Sequence, residues 1–226
     1  MNKNLRKKII KVAKDRVKND LSHDFNHLYR VLIIAEKIAK ANKADLDIVI
    51  PAAIFHDIIV HKGTARYRYE LEDSAKAAEG ILSKMRGYPK NKIAGVVHAI
   101  LMCSFSRNTK PKTIEAKVVH DADLLEATGA ISIMRTFGSS VVMHNESFYK
   151  PEDPLCRKRF PDPSKYSLDL FFTRLLIADK KMYTETAKNI ATRRIKFLTK
   201  FRISQFLHIR FLFSVFKVPH FYLKFI

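Results

Sequence analysis

The chain has no tryptophan, only six glycines in 226 residues, and only two cysteines. So little glycine, beside abundant alanine, isoleucine, leucine and lysine, weighs against strands joined by tight turns and favours helices. Cys103 and Cys156 are too few for a disulfide framework and point to a reducing compartment. The start, Met-Asn-Lys-Asn-Leu-Arg-Lys-Lys, is basic but leads into no apolar stretch of signal-peptide length and no small-residue cleavage site. The expected location is therefore the cytoplasm. Acidic residues stop at Glu185; the 41 residues that follow carry nine Lys or Arg and no acid.

What is present suffices for a folded body. Forty-seven per cent of the residues are hydrophobic, enough for a sizeable core, and the length fits one large domain or one domain with an appendage. The net charge is +20, of which +9 falls after Glu185. A basic body favours the capture of anionic substrates; a lysine-rich solvated surface is the alternative of equal weight.

Apolar spacing predicts successive helices. Residues 3–20 form a basic amphipathic pattern with Leu5, Ile9, Val12 and Val17. A second helix spans about 23–41, with Ser22 as N-cap. A third is capped by Asp45 or Asp47 and reaches about Ile59, with a kink or late start at Pro51. Further helices are expected at 70–86, 90–104, 113–127 and 129–143, and a long one at 166–200. Residues 144–165 hold Pro151, Pro154, Pro161 and Pro163 and read as a surface loop.

Chemistry concentrates in a few places. His56-Asp57 lies within Ala-Ala-Ile-Phe-His-Asp-Ile-Ile, an imidazole and a carboxylate in an apolar run. A buried carboxylate is costly unless it is paired, hydrogen-bonded or bound to metal. His27 lies upstream in Ser-His-Asp-Phe-Asn-His, and Asp121 downstream in Val-Val-His-Asp-Ala-Asp-Leu-Leu. His23 and His27, four apart, share a helix face.

The order H…HD…D, with its flanks, resembles the HD-domain metal-dependent phosphohydrolases. Ser22-His-Asp-Phe-Asn-His-Leu-Tyr-Arg-Val31 is similar to that family's first ligand helix, and the stretch from Pro111 to Ile131 to the helix with its last aspartate. Glu152-Asp-Pro-Leu and Thr184-Glu-Thr-Ala-Lys-Asn-Ile-Ala resemble later stretches of a small stand-alone bacterial branch. The likeness runs from about residue 20 to about residue 200. It implies an all-α helical bundle over 1–202, with 203–226 as a basic aromatic extension. It also implies a divalent metal (Mn2+, Mg2+, Fe2+, Co2+ or Zn2+) held by His27, His56, Asp57 and Asp121, a ligand set that does not choose among these ions. The implied activity is hydrolysis of a small phosphorylated compound, a nucleotide first, with Asp57 accepting a proton from the attacking water.

Other residues carry two readings each. His61 and Lys62 follow the HD pair and suit a proton donor or cation beside phosphate, or an exposed loop pair. Arg30 and Arg135 fit a phosphate contact or an ion pair. His23 could position water or substrate at the rim. Asp24 shares that option, though a first-turn acid favoured by the helix dipole is preferred. His120 is taken as support for Asp121. Cys103 and Leu124 depart from the branch pattern, which has histidine and arginine there; His98, a little over one turn before Cys103, could partly substitute. A catalytically weakened nucleotide sensor, or a basic module for nucleic acid or membrane, is therefore the rival to the enzyme. Residues 197–226 hold eight of sixteen phenylalanines between basic residues. This end could contact an anionic membrane peripherally or pack on the bundle, but its apolar runs are too short to span a bilayer. A monomer and a homodimer are both compatible with the sequence.

Overall fold

The computed structural model describes residues 1–17, 23–61, 65–107 and 109–215, with side chains described as far as Gln205 except at 65 and 67. It is helical, as expected. The helices are α1 (Lys3–Arg16), α2 (Phe25–Ala41), α3 (Leu46–Phe55), α4 (Glu70–Lys84), α5 (Ile93–Leu101), α6 (Ile114–Leu125), α7 (Ala130–Val142), α8 (Asp169–Thr173) and α9 (Glu185–Val215). Short 3-10 turns fall at Ala65–Tyr69, Lys90–Lys92, Phe105–Arg107 and Leu175–Lys181. Among the described residues the one β feature is an isolated bridge between Ser147 and Tyr166.

The chain forms two compact units. The first comprises Met1–Glu126 with Lys180–Ile190, and the second Ala127–Asp179 with Ala191–Ile226. The boundary anticipated at residue 203 falls inside α9, which runs on to Val215. No helix among the described residues is long and apolar enough to cross a membrane.

Local sequence explains how α2 and α3 are set. Asp24 caps α2, its carboxylate accepting from the His27 backbone N–H at 2.8 Å. Ser22, the expected cap, lies outside the described residues. The buried side of α2 is Val31, Leu32, Ala35, Ile38 and Ala39, continuing His27 and Leu28. Helix α3 is capped by Asp45, which accepts from the N–H of Asp47 at 2.8 Å. It continues through Pro51. Proline has no N–H for the carbonyl four residues back; the Tyr88 hydroxyl donates to that carbonyl, on Asp47, at 2.7 Å instead. The carbonyl that proline orphans is thus satisfied from outside the helix.

In the second unit, Leu168, Phe171, Leu175 and Leu198 form a buried cluster. The expected single helix over 166–200 is broken there into α8, the 3-10 turn and α9. The loop ahead of α8 is fastened by backbone bonds, Leu168 N–H to the Phe148 carbonyl at 2.8 Å and Ser167 N–H to Ser147 at 3.2 Å. These bonds between distant residues, and the buried Asp169, hold the chain in turns where apolar spacing alone suggested a helix.

Candidate metal centre

Helix α3 ends at Phe55, not near Ile59, so His56 and Asp57 occupy the turn after it. On a continuing helix two neighbours diverge by about 100°; the turn lets both side chains face one point. His27 arrives from the buried side of α2. One ligand atom from each of His27, His56 and Asp57 lies within 4.8 Å of the others. The His56 Nε2 stands 3.3 Å from Asp57 Oδ2, and the His27 Nε2 3.6 Å from the same oxygen.

Of the two aspartates of α6, it is Asp123 rather than the expected Asp121 that faces this cluster. Asp123 Oδ1 is 3.6 Å from His56 Nε2 and 3.7 Å from His27 Nε2. Asp121 is fully buried and committed elsewhere. It accepts from the backbone N–H of Tyr183 (2.9 and 3.1 Å), the N–H of Thr184 (2.7 Å) and the Thr184 hydroxyl (2.7 Å). Two residues apart on a helix differ by about 200°, so one aspartate faces the histidines and the other the turn before α9. The neighbouring His120 lies beside this carboxylate, its Nδ1 3.2 Å from Asp121 Oδ1.

The far nitrogens of the two imidazoles are already engaged. His56 Nδ1 lies 2.9 Å from the carbonyl of Ala53, one of the last carbonyls of α3. His27 Nδ1 lies 3.4 Å from the buried Glu126 Oε2, which also accepts from Arg30 Nε at 2.8 Å. With Nδ1 donating in each case, Nε2 is the nitrogen whose lone pair a neutral ring would turn toward the carboxylates. Both Nε2 atoms are buried and have no hydrogen-bond partner. Two such nitrogens and two carboxylates converging at 3.3–3.7 Å are a donor set that a divalent cation would satisfy.

Among these groups mutual charge outweighs burial. Burial lowers the His56 pKa, but the Asp57 and Asp123 charges outweigh it and hold the imidazole well above its ordinary value. Burial raises the Asp57 pKa, and the facing histidines override it to keep the group well below the carboxylate range. Asp123 is lowered in the same way, burial opposing and His56 prevailing. Glu126 is also lowered, against burial, by His27 and Arg30.

The remaining expected residues are dispersed. His23 stands at the rim, its Nε2 3.9 Å from Asp57 Oδ2. Arg30 takes the ion-pair option, with Glu126. His61 pairs through Nε2 with Asp73 of α4 at 2.7 Å. Lys62 lies outside the described residues. His98 is on α5 with its Nε2 buried and unpartnered. Arg135 lies half-buried on α7, in the other unit. The Cys103 thiol is buried, and burial, then the charges of Asp123 and Asp57, push its pKa well above the ordinary value. Leu124 is fully buried. Sequence reasoning passed over Asp123 and Glu126; their three-residue spacing, which puts both on one helix face, was the available signal.

Comparison with known proteins points to one family. The HD domain family model matches residues 24–128. The uncharacterised protein YpgQ of Bacillus subtilis is 32% identical over 183 residues, covering 79% of this chain and 80% of YpgQ. The crystal structure of YpgQ in complex with ADP superposes with a TM-score of 0.66 at 27% identity, over 96% of each chain. An HD-superfamily hydrolase from Bacillus thuringiensis superposes with a TM-score of 0.63 at 28% identity, over 90% of this chain and 95% of that one.

Proposed function

The chain belongs to the HD-domain superfamily, and from that premise we propose that it is a divalent-metal-dependent phosphohydrolase acting on a small phosphorylated compound, a nucleotide first among them. The observation that carries this reading is the pair of buried, unpartnered Nε2 atoms of His27 and His56 facing Asp57 and Asp123. A divalent ion bound there would acidify a water and polarise a phosphoryl oxygen. The protein's part is positional and electrostatic. Ala53 and Glu126 fix the tautomer and aim of the two imidazoles. Asp57, more open to solvent than either histidine, is the carboxylate suited to take a proton from the attacking water. His23, at the rim, is placed to orient that water or a phosphate oxygen. Support for a nucleotide comes from YpgQ, crystallised with ADP.

The test joins metal content to turnover. Purified protein is assayed for bound metal, then for phosphate and pyrophosphate release from nucleoside mono-, di- and triphosphates with each of Mn2+, Mg2+, Fe2+, Co2+ and Zn2+. Release that chelator abolishes supports the reading; no release with any ion and any nucleotide defeats it. A second reading, a nucleotide sensor without turnover, is favoured by one feature. Cys103, a thiol held protonated, and the buried Leu124 stand where the branch has histidine and arginine. Nucleotide binding without hydrolysis in the same assay would select it.

A further inference from the structure

The outer face of α1 and α2 in the first unit has a chemistry of its own. Leu5, Ile9 and Ala13 bury one side of α1. Opposite them, Lys3, Lys7, Lys8, Lys11 and Lys14 are exposed. Lys3, Lys7, Lys11 and Lys14 recur at helical spacing, a ridge of about 16 Å at 1.5 Å per residue. Among the described residues no carboxylate pairs with Lys3, Lys7, Lys8 or Lys11, and like charges four apart repel one another. The ridge adds nothing to folding that neutral polar residues would not.

Beside it stands a stacked pair of rings. Arg6 of α1 pairs with Glu36 of α2 (Nε to Oε1 2.5 Å, Nη2 to Oε2 3.0 Å), while the Lys14 ammonium stands 5.9 Å from the Phe25 ring. Low numbers on α1 thus meet high numbers on α2, and the two helices are antiparallel. Phe25 stacks with Tyr29 at 5.9 Å between centroids and 27° between planes. Tyr29 and Ile33, one and two turns further, are 41% and 44% exposed. An exposed tyrosine stacked on Phe25 beside unneutralised lysines is a pairing that folding does not require.

We propose that this α1–α2 face binds single-stranded nucleic acid, the lysine ridge following the phosphodiester backbone and Tyr29, with Phe25 behind it, stacking on unpaired bases. Phosphate charge complements the lysines, and an aromatic face beside a basic track suits bases whose π-faces are free. A duplex hides those faces. An anionic membrane is disfavoured because a helix lying in lipid turns its apolar side outward, whereas that side of α1 is buried within the unit. The inference is independent of the metal centre and stands whether or not the centre turns over a nucleotide.

The test is fluorescence anisotropy of labelled 20-mers of oligo(U) and oligo(dT) with the full chain. Excess EDTA is present so that the metal centre consumes nothing, and KCl is raised stepwise. Binding is expected to weaken steeply with salt. Lys3→Glu, Lys7→Glu, Lys8→Glu and Lys11→Glu together should weaken it more than about 30-fold and flatten the salt dependence. Tyr29→Ala, which leaves charge untouched, should weaken it about tenfold. A control of equal charge change on other exposed lysines (Lys76, Lys84, Lys110 and Lys112 to Glu) should leave most of the binding. No binding at low salt, equal losses in control and ridge variants, or an unchanged affinity in Tyr29→Ala would each overturn the proposal. So would co-sedimentation with phosphatidylserine vesicles that oligonucleotide fails to compete. The RNA and DNA arms report which polymer the face prefers.

Discussion

Each unit of the molecule holds an aspartate centre, and the two centres are finished differently. In the second unit Asp169 is fully buried, and its carboxylate is closed by protein. Arg159 grips both oxygens, Nη2 to Oδ1 at 2.7 Å and Nη1 to Oδ2. The Asp162 N–H donates to Oδ2 at 2.6 Å, and the Cys156 thiol to Oδ1 at 3.3 Å. That thiol is pushed up to about 12 by burial and by the carboxylate, so it remains a donor. In the first unit Asp57 and Asp123 face imidazole nitrogens without hydrogen-bond geometry, and those nitrogens have no hydrogen-bond partner. A charge that the protein neutralises itself fastens a loop; a charge set that it leaves open is shaped for something it does not supply.

The sharpest way to break this comparison is Asp57→Ala. Removing one carboxylate from the open centre should reduce bound metal and take phosphate release to background, while circular dichroism and the melting transition stay near wild type apart from the lost linkage to metal. Undiminished hydrolysis would disprove the assigned role. Asp169→Ala is the mirror experiment. It strands Arg159, so the second unit should lose about 3–5 kcal/mol, read as a lower urea midpoint. A small stability change there would mean that the closed centre is not what holds residues 156–169. Glu126→Gln probes the layer behind the open centre. It weakens the acceptor that orients His27 and the partner of Arg30, so metal affinity should fall roughly 10- to 100-fold in a chelator competition, without loss of folded protein.

Acidity separates the centres further. His56 must lose its proton to ligate, and its pKa is raised, with burial opposed and overcome by Asp57 and Asp123. Metal affinity should therefore climb by about tenfold per pH unit up to that raised pKa, through and beyond the ordinary histidine range, while the carboxylates are already ionised. The metal-free protein should show the opposite trend. A raised folded-state pKa stabilises below the unfolded value of His56, and that stability is lost as pH rises through the raised one. Metal affinity flat between pH 6 and 9 would contradict the placement of His56 in the centre.

Much of this was legible in the sequence, for physical reasons that also mark where legibility ended. Helices α1, α2 and α4 have one buried and one wet side, and their spacing shows it. Helix α6 does not. Ala116, Val118, Val119, His120, Asp121, Ala122, Leu124 and Leu125 are buried around its circumference, so no apolar stripe tells which aspartate faces inward. The end of α3 before His56 carried no breaker residue, and Pro51, the residue that looked like one, lies within the helix, its orphaned carbonyl rescued by Tyr88 forty-one positions away in sequence. The break after residue 166 depends on partners such as Ser147 and Arg159, which local propensity does not contain.

Asp121→Asn and Asp123→Asn, two positions apart, make the finest test of that ambiguity. Asp123→Asn removes a carboxylate from the open centre and should lower metal content and turnover together. Asp121→Asn keeps an acceptor oxygen for Tyr183 or Thr184 but loses the charge and part of the set of bonds that tie the start of α9 to α6. Thr184 also caps that helix, its hydroxyl accepting from the Ala187 N–H at 3.3 Å, so the disturbance should spread one turn and cost about 1 kcal/mol. The expected signature is a slightly lower melting temperature with full metal occupancy and faster amide exchange at residues 183–188. If Asp121→Asn instead emptied the metal site while Asp123→Asn left it loaded, the assignment of the two aspartates would be reversed, and with it the orientation of α6.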